Sequence, residues 1–187
     1  INDAERFVNE TDLKANAFQA LHGYPWGKVY RRSLFENVKF PEDFWFEDTM
    51  GIYRIWPNAR KIITISNIIY NYRINEKGIT RSAFSNVKAL DSLYITICLL
   101  EDCRKTKSLL NDELYTFTLQ QMVTNYIRIH SFKNEDLVAA FSIMARLIDD
   151  YFPASKFKCL DDESLIIEKA LRTKDYSLFI AVSLTKQ

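Results

Sequence analysis

Glycine is confined to one stretch of this chain, and that confinement limits what the remainder can fold into. Gly23, Gly27, Gly51 and Gly78 are all the glycines, and Trp26, Trp45, Trp56, Pro25, Pro41 and Pro57 share the same stretch. From residue 79 to residue 187 there is no glycine, and Pro153 is the only proline. Tight turns and unusual backbone angles therefore concentrate between residues 23 and 78, as expected where loops build a site. The rest has the composition of packed helices.

Apolar spacing predicts the elements. Residues 3–21 read as helical, from the patchy face Phe7, Val8, Leu13, Phe18 and Leu21. Residues 26–35 hold a short helical turn carrying Lys28, Arg31 and Arg32. Phe40 and Pro41 open a loop, Glu47 starts a helix running to about Trp56, and Pro57 stops it. Two β-type runs follow, 61–66 and 68–73; the second sets Ile68, Tyr70 and Tyr72 against Ile69, Asn71 and Arg73. A first tail helix is predicted from Val87, Leu90, Tyr94, Ile97 and Leu100. A second follows the caps Asn111-Asp112, with Tyr115, Leu119, Met122, Tyr126 and Ile129 on one side. Leu137, Phe141, Met144 and Ile148 mark a third after Asn134, and Asp161-Asp162-Glu163 and Asp175 start two shorter ones. The expected class is α+β, predominantly helical: a small sheet with helices around it in residues 1–83, then an α-helical bundle in 84–187.

The chain has 187 residues, 48% hydrophobic and 26% charged, enough to bury a core. A formal net charge of +1 shows no basic footprint for nucleic acid. Cys98, Cys103 and Cys159 form no C-x-x-C pair and are odd in number, which argues against a disulfide framework. His22 and His130 are too few and too scattered for a zinc site, so no metal ligands are expected. A reducing, cytosolic setting fits. No apolar run approaches the ~20 residues that span a bilayer, so no transmembrane segment is expected. Ile1, rather than Met, opens the chain, and an excised fragment is the favoured explanation.

Glu47-Asp48 carries most of the functional information. It sits in the run Phe40-Pro-Glu-Asp-Phe-Trp-Phe-Glu-Asp-Thr-Met-Gly51, at the mouth of a predicted helix. Free N–H groups there hold a carboxylate ionised. Acidic first turns are also common for stability alone. A functional carboxylate would have to face a pocket and take a proton from an attacking hydroxyl. Trp45 and Phe46 could line such a pocket, or be core residues.

Trp26-x-Lys28, Tyr30-Arg31-Arg32, Phe40-Pro41, Glu47-Asp48 and Tyr70-x-Tyr72-Arg73 occur in this order. Over about residues 22 to 82 the set resembles the second half of family 2 glycosyltransferases of the GT-A fold, the bacterial type that builds capsule and lipopolysaccharide sugars. The resemblance implies an inverting transfer from a nucleotide-sugar to a hydroxyl of a surface glycan. It assigns Asp48 as base and Glu47 as a supporting or acceptor-binding carboxylate. Trp26, Lys28, Trp45 and Arg73 become substrate-binding candidates, although Lys28 reads equally as a surface charge and Arg73 as a salt-bridge partner. The implied location is cytoplasmic, or peripheral at the inner face of the membrane.

The family's nucleotide-binding βαβ region and its metal-holding Asp-x-Asp are not in this sequence. Mn²⁺ or Mg²⁺ is therefore implied for the complete enzyme and no cofactor for this piece, which is expected to be inactive alone. The family's usual Ser-Ile after the tyrosine motif is Gly78-Ile79 here. A sheet lacking its first strands would expose apolar surface, so self-association is expected. The rival reading is a helical protein-interaction module in which Glu47-Asp48 only starts a helix. A phosphate-handling enzyme using Arg73 and Lys28 is weaker, for want of a Gly-rich loop.

Overall fold

The computed structural model describes residues 7–8, 23–63, 65, 67–75, 77–83, 86–106 and 110–185. Its α-helices are α1 (Glu47–Ile55), α2 (Ile79–Ser82), α3 (Asp91–Thr106), α4 (Asp112–Ile129), α5 (Asn134–Tyr151), α6 (Asp162–Thr173) and α7 (Tyr176–Leu184). Single 3-10 turns occupy Arg32–Phe35, Trp56–Asn58 and Val87–Leu90. Strands β1 (Phe7–Val8) and β2 (Ile62–Ile63) pair antiparallel, with Phe7 opposite Ile63 and Val8 opposite Ile62. The described fold is predominantly helical, and no helix among its residues is long and apolar enough to cross a membrane.

The glycine-free region folds as its apolar spacing predicts. On α4, Tyr115, Leu119, Met122, Tyr126 and Ile129 are all buried, and on α5 so are Leu137, Phe141, Met144 and Ile148. The helix starts are built by side-chain caps. Asn111 accepts from the Leu114 N–H at 2.8 Å, Asp161 from Ser164 at 2.7 Å and Asp175 from Leu178 at 3.0 Å. Each satisfies an N–H that the helix itself leaves unpaired. Without glycine, α6 ends on Lys174 at φ 56°, where Asp175 N–H donates to the Ala170 carbonyl at 2.9 Å. Lys174 N–H donates to Leu171, completing a Schellman pair in which lysine takes glycine's usual place.

Helix α4 is central: α3, α5, α6 and α7 all pack on it, and α1 packs on α3. One core runs through these helices and includes Tyr53, Ile55 and Trp56, so packing is continuous across residue 83.

Four expectations need correction. Phe7 and Val8 lie in a strand, not a helix; a β-branched residue and an aromatic suit the ladder opposite Ile62 and Ile63. The rest of 3–21 lies outside the described residues. In 26–35 only Arg32–Phe35 is helical, leaving Lys28 and Arg31 outside it, because Gly27 at φ 68° turns the chain first. Of the two β-type runs only Ile62–Ile63 pairs; residues 67–75 carry no ladder among the described residues. Finally, the predicted face of the first tail helix is met only in part. Leu100 is buried and Ile97 packs on the core as expected, but Tyr94 on α3 and Val87 and Leu90 in the turn before it are exposed, while Leu93, Leu99 and Cys103 are buried beside two polar residues, Ser92 and Thr96. Apolar spacing alone cannot see a buried face that includes hydroxyls.

Candidate functional site

The loop before α1 is docked residue by residue onto the helical region. Asp43 offers its carbonyl to Lys88 Nζ at 2.6 Å. Phe44 stacks on Tyr94, with ring centroids 4.8 Å apart. The Trp45 N–H donates to Asp91 Oδ2 at 2.9 Å, and Asp91 also pairs with Lys88 at 2.8 Å. The Arg128 guanidinium lies 3.7 Å from the centroid of the Phe46 ring. Asp43 and Phe46 both adopt left-handed backbone angles, φ 65°. For a residue other than glycine such a conformation costs about 1–3 kcal/mol and persists only where the surroundings impose it. Here they do.

This loop delivers Glu47 and Asp48 into the first turn of α1. Both are half-buried. Asp48 Oδ1 accepts from the Thr49 N–H at 2.8 Å. Burial raises the Asp48 carboxyl above its ordinary value; the Thr49 bond and the charges of Arg128 and Lys28 oppose the rise without cancelling it. Lys28 responds in kind, lowered by burial against the pull of Asp48. Burial lowers Arg128 to about 10, again with Asp48 as the opposing charge. Three ionisable groups thus share one poorly solvated region. Its carboxylate is a stronger base than an exposed one.

Lys28 is held by the carbonyl of Tyr24 at 2.6 Å and sits 4.1 Å from the centroid of that residue's ring. Trp26 is the centre of an aromatic stack. Tyr24 lies parallel to it at 3.6 Å, with Tyr72 at 4.8 Å and Tyr70 at 5.2 Å. Tyr70 and Tyr72, two positions apart in the alternating run, both stack on Trp26. Trp45 is partly buried and set edge-on to Phe46.

Arg73 departs from expectation. It is exposed, is not at a strand end, and makes no hydrogen bond or ion pair among the described residues. The strand that was to position it does not form, because Tyr70 and Tyr72 pack on Trp26 instead of pairing in a sheet.

Arg128 is the residue that sequence reasoning missed. It donates to the Ser92 hydroxyl, which donates to Asn125 Oδ1, and Asn125 Nδ2 donates to Thr96 Oγ1 at 3.0 Å. Gln121 also reaches Asn125 Oδ1, at 3.2 Å. The signal was present: Gln121, Asn125 and Arg128 recur at helical spacing on α4. Among the described residues, no three His, Cys, Asp or Glu side chains come together to hold a metal ion. No family model, curated protein or solved structure matches the chain.

Proposed function

We propose that this chain is the acceptor-side part of an inverting glycosyltransferase that moves a sugar from a nucleotide-sugar to a hydroxyl of a bacterial surface glycan. The ordered motifs from Trp26 to Arg73 suggest the family. The observation that carries the reading is the half-buried Asp48 carboxylate, within electrostatic reach of Lys28 and Arg128 and directly after an aromatic loop that Arg128 holds at Phe46. In the reaction the acceptor oxygen bonds to the anomeric carbon and the bond to the diphosphate breaks. The hydroxyl proton passes to Asp48. Glu47 supports the acceptor, Trp45 offers apolar ring surface to sugar, and Trp26 contributes through the stack it forms with the exposed rings of Tyr70 and Tyr72. Arg73, on the exposed segment, would meet substrate only from the solvent side. The chain acts with a nucleotide-binding half, in the cytoplasm or at the inner face of the membrane.

The test is sugar transfer by a polypeptide in which a nucleotide-binding half precedes this chain. Asp48→Asn should lower transfer by about 10²–10⁴-fold, the usual contribution of a positioned base. Near wild-type transfer would reject Asp48. The alternative, a non-catalytic helical interaction module, draws on the exposed apolar residues between Ile63 and Ile74. It predicts that Asp48→Asn leaves every activity of the protein unchanged.

A further inference from the structure

We infer that Arg128, on α4, is a positioning residue for Asp48: it clamps the Phe46 ring, holds the strained end of the loop, and so aims the carboxylate that begins α1. The inference rests on Asp48 being the working group, but its physical content can be measured without catalysis.

Four consecutive residues, Asp43 to Phe46, are each anchored on the helical region, by Lys88, Tyr94, Asp91 and Arg128 in turn. Of these, Arg128 holds the anchored residue nearest to Asp48, Phe46, and is the anchor whose charge also acts on that carboxylate. Phe46 has a left-handed backbone, so a free loop would relax away from this geometry. A planar guanidinium suits the task. It can lie flat on a ring and still donate in its own plane, here to Ser92, which an ammonium cannot do. The Ser92–Asn125–Thr96 chain then fixes the Arg128 head to the α3–α4 interface. Lys28, on the turn at Gly27, and Tyr53, along α1, also lie within electrostatic reach of Asp48. The helical region, in this reading, is part of the site's construction.

The experiment follows the Asp48 side-chain carboxyl carbon by NMR as pH is varied, in the whole chain. Arg128→Met keeps the aliphatic stem and removes the charge. Its Asp48 midpoint should move up by about one unit, a tenfold change in proton affinity. Arg128→Lys should restore most of that shift, yet leave the amides of residues 46–48 exchanging about tenfold faster, because the flat clamp is gone. A role in packing alone would not move the Asp48 midpoint with charge. An unchanged midpoint in Arg128→Met overturns the inference. Should that variant fail to fold, wild-type exchange at 46–48 in Arg128→Lys overturns it instead, and faster exchange supports it. The transfer assay remains separate. Loss of transfer in Asp48→Asn with no midpoint shift in Arg128→Met removes the positioning role and keeps the base. A midpoint shift with full transfer in Asp48→Asn does the reverse.

Discussion

Asp48 works against the stability of the fold that holds it. Burial raises its folded-state value above the ordinary 3.8, so the ionised form is disfavoured in the native chain. Stability from this group is fully present below the unfolded carboxylate range and is lost as pH rises through the folded value. Asp48→Asn mimics the protonated acid and keeps an oxygen for the Thr49 N–H. The variant should therefore unfold at higher urea than wild type at neutral pH, with the difference closing below about pH 4. A lower midpoint at neutral pH would mean that Lys28 and Arg128 make the carboxylate net stabilising. Glu168 shows the opposite balance. Burial pushes it up, but hydrogen bonds from Tyr115, Cys159 and Arg172 prevail and leave it below its ordinary value. Burial, with the Glu168 hydrogen bond, pushes the thiol of Cys159, in the loop before α6, up to about 12 and keeps it protonated. A fully satisfied carboxylate holds the fold together, whereas Asp48 is left poised.

At the scale of elements, the contact between α3 and α4 is decided by hydroxyl and amide groups as much as by apolar packing. Ser92, Thr96 and Asn125 are nearly inaccessible to solvent and satisfy one another. Asn125→Ala should lower stability by about 1–3 kcal/mol, measured by urea unfolding, because the buried Ser92 hydroxyl loses its acceptor and the Thr96 hydroxyl loses a donor. It should also loosen Arg128, whose partner Ser92 loses its acceptor. A loss well under 1 kcal/mol would show that the hydroxyls find other partners. These polar positions explain why the predicted face of α3 is met only in part. Val87, Leu90 and Tyr94 form a regular apolar series, yet the helix buries Ser92 and Thr96 because α4 presents Asn125 opposite them. The faces of α4 and α5 were legible in their sequences, since a continuous apolar stripe leaves a helix one way to bury itself.

Across the whole molecule, one surface stands apart. Ile68 is 85% exposed and Ile74 65%, and Ile63, Ile65, Ile69, Tyr70 and Tyr72 are also exposed along the same segment. Among the described residues of this segment, only Ile62 and Ile63 find a strand partner, β1. The folded chain is expected to bind a hydrophobic dye, and the double variant Ile68→Lys/Ile74→Lys to bind much less. Sedimentation over a concentration series checks whether the surface is used between copies. A strict monomer that binds no dye would show that this segment is covered. The amino-acid sequence by itself determined the helical character after residue 79, the starts of α1, α4, α6 and α7, and the position of Asp48 in a first turn. Those features depend on local chemistry: spacing, capping side chains, and the restricted angles of proline and glycine. Tertiary structure alone decided that Asp48 is half-buried, that Arg128 arrives beside Phe46 from eighty residues away (roughly, by chain order), and that Arg73 stays in solvent. Such outcomes follow from which surfaces meet, and a linear pattern carries no record of a meeting between α4 and the loop before α1.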